Sequence, residues 1–329
     1  MRDTFNRKIN YLRISVTDRC NLRCVYCMPR QGIAHKQAAD ILSFEQIYKI
    51  VKAAIGLGIE KVRITGGEPL VRKNLPLLIR QLRTIDGLKE ICLTTNGIYL
   101  SEYAAALKNA GLDRINVSLD SLNSSRFQEI TRGGSLDAVL KGIDTALTVG
   151  LSPLKINVVL LKDFNSDEIL DFAALTKTKP LQVRFIEYMP TGINYFSYDK
   201  SFFSAQTAKT ICSSLGELIS IDSQQTEAAK IFRIKGFPGT LGFISPISQS
   251  FCASCNKLRL TSDGRLRVCL HSAKTVNLRE AAQDSEEKTA SLIREAVLLK
   301  PLSHNLTEKN NLDEFGFETE NFSMCQIGG

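Results

Sequence analysis

Six short apolar runs alternate with longer amphipathic stretches over residues 1–190, and this alternation restricts the fold more than any other feature of the chain. The runs are rich in Ile, Val and Leu, which is typical of parallel strands covered on both faces. We predict strands at residues 12–16, 61–64, 90–93, 114–119, 154–161 and 182–186. We predict helices between them at residues 44–57, 75–82, 102–110, 136–149 and 167–176.

Repeated β-then-α units require right-handed crossovers and therefore a parallel sheet. Six strands are fewer than the eight that close a full barrel, so we expect an α/β fold, an incomplete (β/α)6 TIM-like barrel. Near residue 190 the pattern changes to short strands and turns, with a hairpin at 256–270 and a helix at 284–299. We expect two domains: residues 1–190 as the partial barrel, and residues 191–329 as a C-terminal α+β segment.

A first cysteine triad, Cys20, Cys24 and Cys27, directly follows the first predicted strand in the run TDRCNLRCVYCMP. Functional residues of parallel α/β proteins gather where strands end. Three thiolates can hold three irons of a cubane cluster and leave the fourth iron open to a small chelating molecule. The alternative is structural zinc, which prefers four protein ligands. No fourth Cys or His lies close in this loop.

A second triad consists of Cys252, Cys255 and Cys269. Pairing of the predicted hairpin strands brings Cys255 and Cys269 together. We therefore predict a second iron–sulfur cluster in the C-terminal segment, again with one iron open. A cluster that only transfers electrons or staples the structure is the alternative.

Composition limits the class of protein. Hydrophobic residues make up 43% and charged residues 23% of the 329 residues, as in globular proteins. The chain contains no apolar run long enough for a membrane span, and the N-terminal run MRDTFNRKINYLRISV lacks the apolar core of a signal peptide. We expect a cytoplasmic protein without membrane association. Nine cysteines then indicate metal-binding thiols rather than disulfides, with Cys92, Cys212 and Cys325 as isolated structural residues.

Charge favours an anionic partner, because 42 Lys and Arg exceed 34 Asp and Glu and give a formal charge of +8. A nucleoside triphosphate fits. We expect no nucleic acid, because the chain lacks the basic run of a nucleic-acid-binding arm.

The triad spacing, with an aromatic residue before the third cysteine, resembles that of the radical S-adenosylmethionine enzymes. The TGGEP run at residues 65–69 resembles their glycine-rich segment, although alone it would fit an ordinary strand-to-helix turn. The resemblance implies S-adenosylmethionine as cofactor. Its methionine moiety would chelate the open iron, and an electron from the cluster would cleave it to an adenosyl radical.

A narrower resemblance covers nearly the whole chain. The runs LRISVTDRCNLRCVYCMP, VRITGGEPLVR, INVSLDSL, FIEYMPTG and CASCNKLRLTSDGRLRVCL, and the terminal IGG, are similar to the GTP 3′,8-cyclase family of molybdenum cofactor biosynthesis. This implies two 4Fe–4S clusters and radical cyclisation of GTP to (8S)-3′,8-cyclo-7,8-dihydroguanosine 5′-triphosphate. It also implies an electron donor such as flavodoxin or ferredoxin, and a cyclic pyranopterin monophosphate synthase that takes the product. A homodimer is compatible with it.

The same resemblance implies roles for individual residues. Substrate-binding positions are Arg13, Arg63, Thr94, Lys155, Lys257, Leu258 and Arg259. Cofactor-binding positions are Tyr26, Gly67, Ser118 and Met189. Catalytic positions are Arg184, Gly328 and Gly329. For single residues other interpretations stay open: Met189 as a core filler, Thr94 as a turn residue, and any one of the cations in a structural salt bridge. Lys257 stands where many family members have Arg, which preserves charge but loses a bidentate contact.

Two other functions compete. A peptide-modifying radical enzyme with an auxiliary cluster would typically use more C-terminal cysteines. A non-catalytic iron–sulfur electron carrier would use four ligands per cluster and would not need TGGEP. Hydrolysis is disfavoured, because none of the three histidines, His35, His271 and His304, lies in an HExxH or GxSxG context.

Overall fold

The structure is a computed structural model that describes residues 1–189, 198–221, 228–272, 274–304 and 324–327. Its strands are β1 (Tyr11–Ser15), β2 (Lys61–Thr65), β3 (Glu90–Thr95), β4 (Arg114–Ser118), β5 (Leu154–Leu160), β6 (Gln182–Glu187), β7 (Leu218–Ile221), β8 (Lys230–Ile234), β9 (Thr240–Ile244), β10 (Lys257–Leu260), β11 (Arg265–Arg267) and β12 (Thr275–Asn277). Its helices are α1 (Phe44–Gly56), α2 (Leu75–Arg83), α3 (Leu100–Asn109), α4 (Ser124–Thr131), α5 (Leu136–Thr148), α6 (Ile169–Thr178), α7 (Tyr198–Ser201), α8 (Ala205–Cys212), α9 (Ala281–Asp284) and α10 (Glu286–Leu298).

The six predicted strands of the barrel are confirmed as β1 to β6, which lie side by side and parallel. The predicted helices between them are confirmed as α1, α2, α3, α5 and α6. Helices α4 and α8 were not predicted, for a physical reason. Each depends on a polar cap, from Asn123 and Ser204 respectively. Each also buries few residues, so neither shows a long apolar stripe.

The sheet continues beyond the predicted barrel. Strand β9 pairs parallel with β6, and β10 pairs parallel with β1, so eight parallel strands lie in the order β10-β1-β2-β3-β4-β5-β6-β9. The predicted hairpin is confirmed as β10 and β11, which pair antiparallel. In the described residues the twelve-stranded order runs from β12 to β7 without closing on itself. The C-terminal segment thus extends both edges of the barrel sheet, and the domain boundary at residue 190 stays a prediction.

Alternation along the strands decides which residues face the inside. Leu12 and Ile14 of β1 are buried in the main core with Ile47 and Ile50 of α1. Burying such a side chain contributes about 1.5–3 kcal/mol each. The intervening residues, Tyr11 and Arg13, point to the opposite face, because successive side chains of a strand alternate. The inner face of the sheet is therefore free to be polar. No helix in the described part of the chain is long and apolar enough to span a bilayer.

Arg7 ties the N-terminus to the C-terminal segment. Its Nε donates to Asp3 Oδ2 at 2.5 Å, and both side chains are buried. Its Nη1 donates to the carbonyls of Cys252 at 2.8 Å and Leu302 at 3.0 Å, and its Nη2 to that of Pro301 at 2.7 Å. One guanidinium therefore holds both the loop of the second triad and the chain after α10.

We predict that Arg7→Met lowers the free energy of unfolding by about 3–5 kcal/mol, because it leaves the Asp3 carboxylate buried without its partner. Urea unfolding followed by circular dichroism measures the loss. The double variant Asp3→Leu/Arg7→Met is the control, and should recover part of the loss because no buried charge is left alone. A loss below about 1 kcal/mol for the single variant, as for an exposed ion pair, would contradict this account.

Candidate active site

One cavity of about 810 Å³ lies on the inner face of the sheet. Both cysteine triads line it: Cys20, Cys24, Cys27, Cys252, Cys255 and Cys269. Pockets for small molecules usually measure about 300–1,000 Å³, so this cavity can hold a nucleotide. The two triads, far apart in sequence, therefore face one shared space.

The first triad lies in a compact loop after β1. The backbone N–H groups of Cys27 and Met28 both donate to the carbonyl of Cys24, at 2.9 and 3.2 Å. The Leu22 N–H points at Cys20 Sγ at 3.4 Å. Burial raises the pKa of Cys20 to about 12, and burial with the charge of Cys27 raises that of Cys24. Such thiols give up their protons only to a bound cation, which suits metal ligands.

The second triad lies among cations. The Cys255 N–H donates to the Cys252 carbonyl at 3.1 Å in a short turn. Burial disfavours the Cys255 thiolate, but the charges of Lys300 and Lys257 outweigh burial and lower the pKa of this thiol. Arg259 interacts electrostatically with both Cys255 and Cys269. Positive charge around these sulfurs favours the thiolate form that binds iron.

The two kinds of metal site make different demands on a triad. Within the described ranges, no group of three Cys, His, Asp or Glu side chains is placed to hold one metal ion. In a cubane cluster each thiolate would bind a different iron, whereas structural zinc prefers four protein ligands on one ion.

Three arginines lie in register across neighbouring parallel strands. Arg13 of β1 pairs with Arg259 of β10 on one side and with Arg63 of β2 on the other, and all three line the cavity. Adjacent strands are only about 4.8 Å apart, so like charges are forced close together. Burial, together with the charges of Arg259 and Arg63, lowers the pKa of Arg13 to about 9. We call Arg13, Arg63 and Arg259 the arginine row.

Arg63 is the member whose surroundings are clearest. Its side chain is buried. Its Nε donates to the Tyr11 hydroxyl, and its Nη1 donates at 3.3 Å to the Leu93 carbonyl and the Thr94 hydroxyl. In the described residues no Asp or Glu forms an ion pair with Arg63, and the nearby Glu90 is bound by Lys61 and Arg114. Burial disfavours the charged form, but the charges of Tyr11, Cys92 and Glu90 outweigh burial and raise the pKa of Arg63, so its side chain stays a cation. A buried cation in this position calls for an anionic ligand.

Two buried carboxylates face the first triad. Glu68 accepts from the Thr95 hydroxyl and the Asn96 N–H at 2.7 Å each, and burial raises its pKa to about 7. Asp120 accepts from the Tyr26 hydroxyl at 2.5 Å, and burial raises its pKa to about 6. These acids provide negative charge for a cationic group in a cavity whose charged lining residues are mostly Lys and Arg.

Most of the residues singled out by sequence reasoning meet in this cavity. It is lined by Arg13, Tyr26, Arg63, Gly67, Thr94, Ser118, Lys155, Arg184, Met189, Lys257 and Arg259. Leu258 does not line it: its side chain is 1% exposed and belongs to the core, because it lies on the other face of β10 from Lys257 and Arg259. A substrate contact at Leu258 would therefore need its backbone. Gly328 and Gly329 lie outside the described residues.

Sequence reasoning missed several lining residues. Tyr11 lies two positions before Arg13 on β1 and therefore shares its face. In the same way Asn116 shares the face of Ser118 on β4, and Asn157 that of Lys155 on β5. Strand alternation could have found them. His271 and His304, whose ring centroids are 5.5 Å apart, also line the cavity, and no sequence signal brings them together.

Comparison with known proteins agrees with this geometry. The chain matches the Radical SAM superfamily over residues 14–176 and the family Molybdenum Cofactor Synthesis C over residues 181–306. It is similar to proteins named GTP 3′,8-cyclase. The one from Alkaliphilus oremlandii is 46% identical over 329 residues, and the one from Petrotoga mobilis is 48% identical over 330; both matches cover 100% of each chain. The one from Peptoclostridium acidaminophilum is 49% identical, over 99% of this chain and 98% of its own.

Solved structures support the fold. Streptococcus suis SuiB bound to S-adenosylmethionine superposes with a TM-score of 0.58 at 18% identity, over 87% of this chain and 68% of its own. SuiB bound to the precursor peptide SuiA gives a TM-score of 0.59 at 17% identity, over 90% of this chain and 71% of its own.

The glycine-rich turn after β2 supports the first triad, and substitution of Gly67 tests this. The Gly67 N–H donates to the Thr17 carbonyl at 2.7 Å, and a Cβ at Gly67 would lie 2.3 Å from the Arg19 carbonyl oxygen. We predict that Gly67→Ala displaces this backbone and that the reconstituted protein loses about half of its iron, because only the first triad is disturbed.

Gly56→Ala is the matched control, since nothing lies within 4 Å of a Cβ at Gly56 in α1. It should keep full iron and gain up to about 1 kcal/mol of stability. Iron and sulfide analysis after anaerobic reconstitution reads out both variants. Full iron in Gly67→Ala would show that the turn does not support the cysteine loop.

Proposed function

The chain belongs to the GTP 3′,8-cyclase family of radical S-adenosylmethionine enzymes, and on that premise we propose how its residues carry out the reaction. The protein converts GTP to (8S)-3′,8-cyclo-7,8-dihydroguanosine 5′-triphosphate, an early step of molybdenum cofactor biosynthesis. It uses S-adenosylmethionine and two 4Fe–4S clusters.

The observation that carries the assignment of the substrate site is the buried Arg63 without a carboxylate partner among the described residues. Together with the rest of the arginine row it forms a cationic wall. Among the described residues, ten Lys and Arg line the cavity against five Asp and Glu. We assign the triphosphate of GTP to Arg13, Arg63, Lys155, Lys257 and Arg259, because guanidinium and ammonium groups are the usual phosphate donors.

The two cysteine triads are assigned to different clusters. Cys20, Cys24 and Cys27 would hold the cluster to which S-adenosylmethionine binds, and Cys252, Cys255 and Cys269 the cluster that faces GTP. When bound, the first cluster would supply the one electron that breaks the C5′–S bond of S-adenosylmethionine, giving methionine and the adenosyl radical that would take the hydrogen atom from C3′ of GTP. The chain's own contribution is to hold C3′ close to that group and C8 of guanine close to C3′, because a carbon radical reacts with what lies nearest.

The cofactor end of the cavity is assigned to the residues around the first triad. Gly67 lets the backbone approach the methionine moiety, and the neighbouring Glu68 carboxylate faces the same space and suits its ammonium group. Ser118 offers a hydroxyl for the carboxylate or ribose. Tyr26 and Met189 offer apolar surface to the adenine. Arg184, on β6, lies in register with Asn157 and is proposed as a catalytic contact to the substrate.

Partners and location follow the same premise. We propose that a flavodoxin or ferredoxin supplies the electron, and that a cyclic pyranopterin monophosphate synthase consumes the product. We also propose a reducing, cytoplasmic compartment, because two clusters held by cysteine thiolates need thiols that are kept reduced. A homodimer and a role for Gly328 and Gly329 remain predictions from the resemblance.

We predict that anaerobically reconstituted protein, given S-adenosylmethionine, dithionite and GTP deuterated at C3′, transfers deuterium to 5′-deoxyadenosine and forms a cyclised nucleotide. Mass spectrometry of both products is the measurement. 5′-Deoxyadenosine without deuterium would remove C3′ of GTP as the site of hydrogen abstraction.

Arg63→Gln tests the substrate site within the same assay. Loss of a charged hydrogen bond worth about 1.5–3 kcal/mol should raise the KM for GTP about tenfold or more, with iron content unchanged. Arg80→Gln, on the exposed outer face of α2, is the matched control and should leave the KM unchanged. An unchanged KM in Arg63→Gln would contradict the assignment of the triphosphate.

A further inference from the structure

Four arginines surround the loop of the first triad. Arg19, Arg23 and Arg30 are exposed, and Arg132, half-buried, follows α4. Side chains of Arg132 and Arg23 reach backbone carbonyl groups of the same loop. The Arg132 Nη1 donates to the carbonyls of Arg23 at 3.2 Å and Met28 at 3.0 Å, and the Arg23 Nη1 approaches the Arg30 carbonyl at 3.4 Å. We call these four residues the arginine rim.

The rim carries uncompensated charge. Over the described ranges, none of its guanidinium groups forms an ion pair, whereas the next cation along the loop, Lys36, pairs with Asp263 at 2.8 Å. Nearby carboxylates do not neutralise it. Asp18 is buried, accepts the Lys36 N–H at 2.7 Å and lies 3.9 Å from His35 Nδ1. Single unpaired arginines occur elsewhere, for example Arg294 on α10, so the signal is their convergence on one loop.

This loop is where an electron must enter. All three thiols of the first triad are half-buried and line the cavity, and the exposed Arg19, Arg23 and Arg30 belong to the same loop. Electron transfer slows steeply with distance, so a donor that docks on the rim has the shortest route to a cluster held by these thiols. Substrate is proposed to bind from within the cavity, and leaves the rim free.

We propose that the arginine rim is the docking surface for a small acidic one-electron carrier protein. This inference rests on the proposed function, which requires a donor. At the docked surface the carrier loses one electron and the cluster held by Cys20, Cys24 and Cys27 gains it; no bond or proton changes in this step. Exposed charges of opposite sign steer association and are screened by salt, so the complex is transient and salt-sensitive.

The test separates docking from chemistry. Binding of a bacterial flavodoxin, as the probe, to the reconstituted protein is measured by anaerobic calorimetry at low and high salt. The variants are Arg30→Glu and Arg23→Glu, with Arg30→Gln as a milder change. Arg294→Glu is the matched control, because it reverses the same charge on an exposed arginine of α10, whose packing partners are α1, α9, β11 and β12. We expect the rim reversals to weaken flavodoxin binding about tenfold and the control to leave it unchanged.

A second readout compares electron sources. 5′-Deoxyadenosine formation driven by reduced flavodoxin should fall in the rim variants, while formation driven by dithionite, which needs no docking surface, should not. Equal flavodoxin binding in rim and control variants would overturn the proposal. Equal losses of 5′-deoxyadenosine formation with both reductants would also overturn it, because they would show a structural role for the loop. The same holds if the rim variants lose binding to a duplex oligonucleotide but keep binding to flavodoxin. Absence of cyclised nucleotide from the unmodified protein with dithionite would overturn the proposed function instead, and leave the binding result to decide the docking surface.

Discussion

Placing three arginines side by side on adjacent parallel strands is the costly arrangement on which the rest of the site depends. Arg259, Arg13 and Arg63 share one register across β10, β1 and β2, so the sheet holds their backbones side by side, and burial together with the charges of Arg259 and Arg63 lowers the pKa of Arg13. The apolar face of the same strands supplies the stability that offsets this cost, because Leu12, Ile14 and Leu258 are buried in the core. A polyanion bound in the cavity would pair with the three guanidinium groups, and the relief of their mutual repulsion would add to its affinity.

The register also explains why the C-terminal segment is needed. Strand β10 brings Arg259 beside Arg13, and the turn before it carries Cys255 towards the cavity. The pairing of β10 with β1 therefore does two things: it adds Arg259 to the arginine row, and it places the second triad beside the cavity. Arg7 strengthens the same junction, since it binds the carbonyls of Cys252, Pro301 and Leu302. A barrel of six strands alone would have neither feature.

Much of this could be predicted from sequence where a local pattern is strong. Strands β1 to β6 are short runs rich in Ile, Val and Leu, and both triads have a spacing that few other sites use. The pairing of β9 with β6 and of β10 with β1 could not be predicted, because it depends on contacts between residues far apart in the chain. The same is true of the contact between His271 and His304, whereas strand alternation could have placed Tyr11 on the face of Arg13. Leu258 differs from its neighbours Lys257 and Arg259, which line the cavity, because strand alternation turns its side chain into the core. A substrate contact at Leu258 stays a prediction and would involve its backbone.

The central claim is that two triads face one cavity and that each holds its own cluster. The most direct test is iron and sulfide content, with Mössbauer spectra, for Cys24→Ala, Cys255→Ala and the buried control Cys212→Ala after identical anaerobic reconstitution. Each triad variant should retain about half of the iron of the unmodified protein as an intact cubane cluster, because the other three thiolates are untouched, and the control should retain all of it. Loss of all iron from either triad variant, or no loss from Cys255→Ala, would contradict two independent clusters.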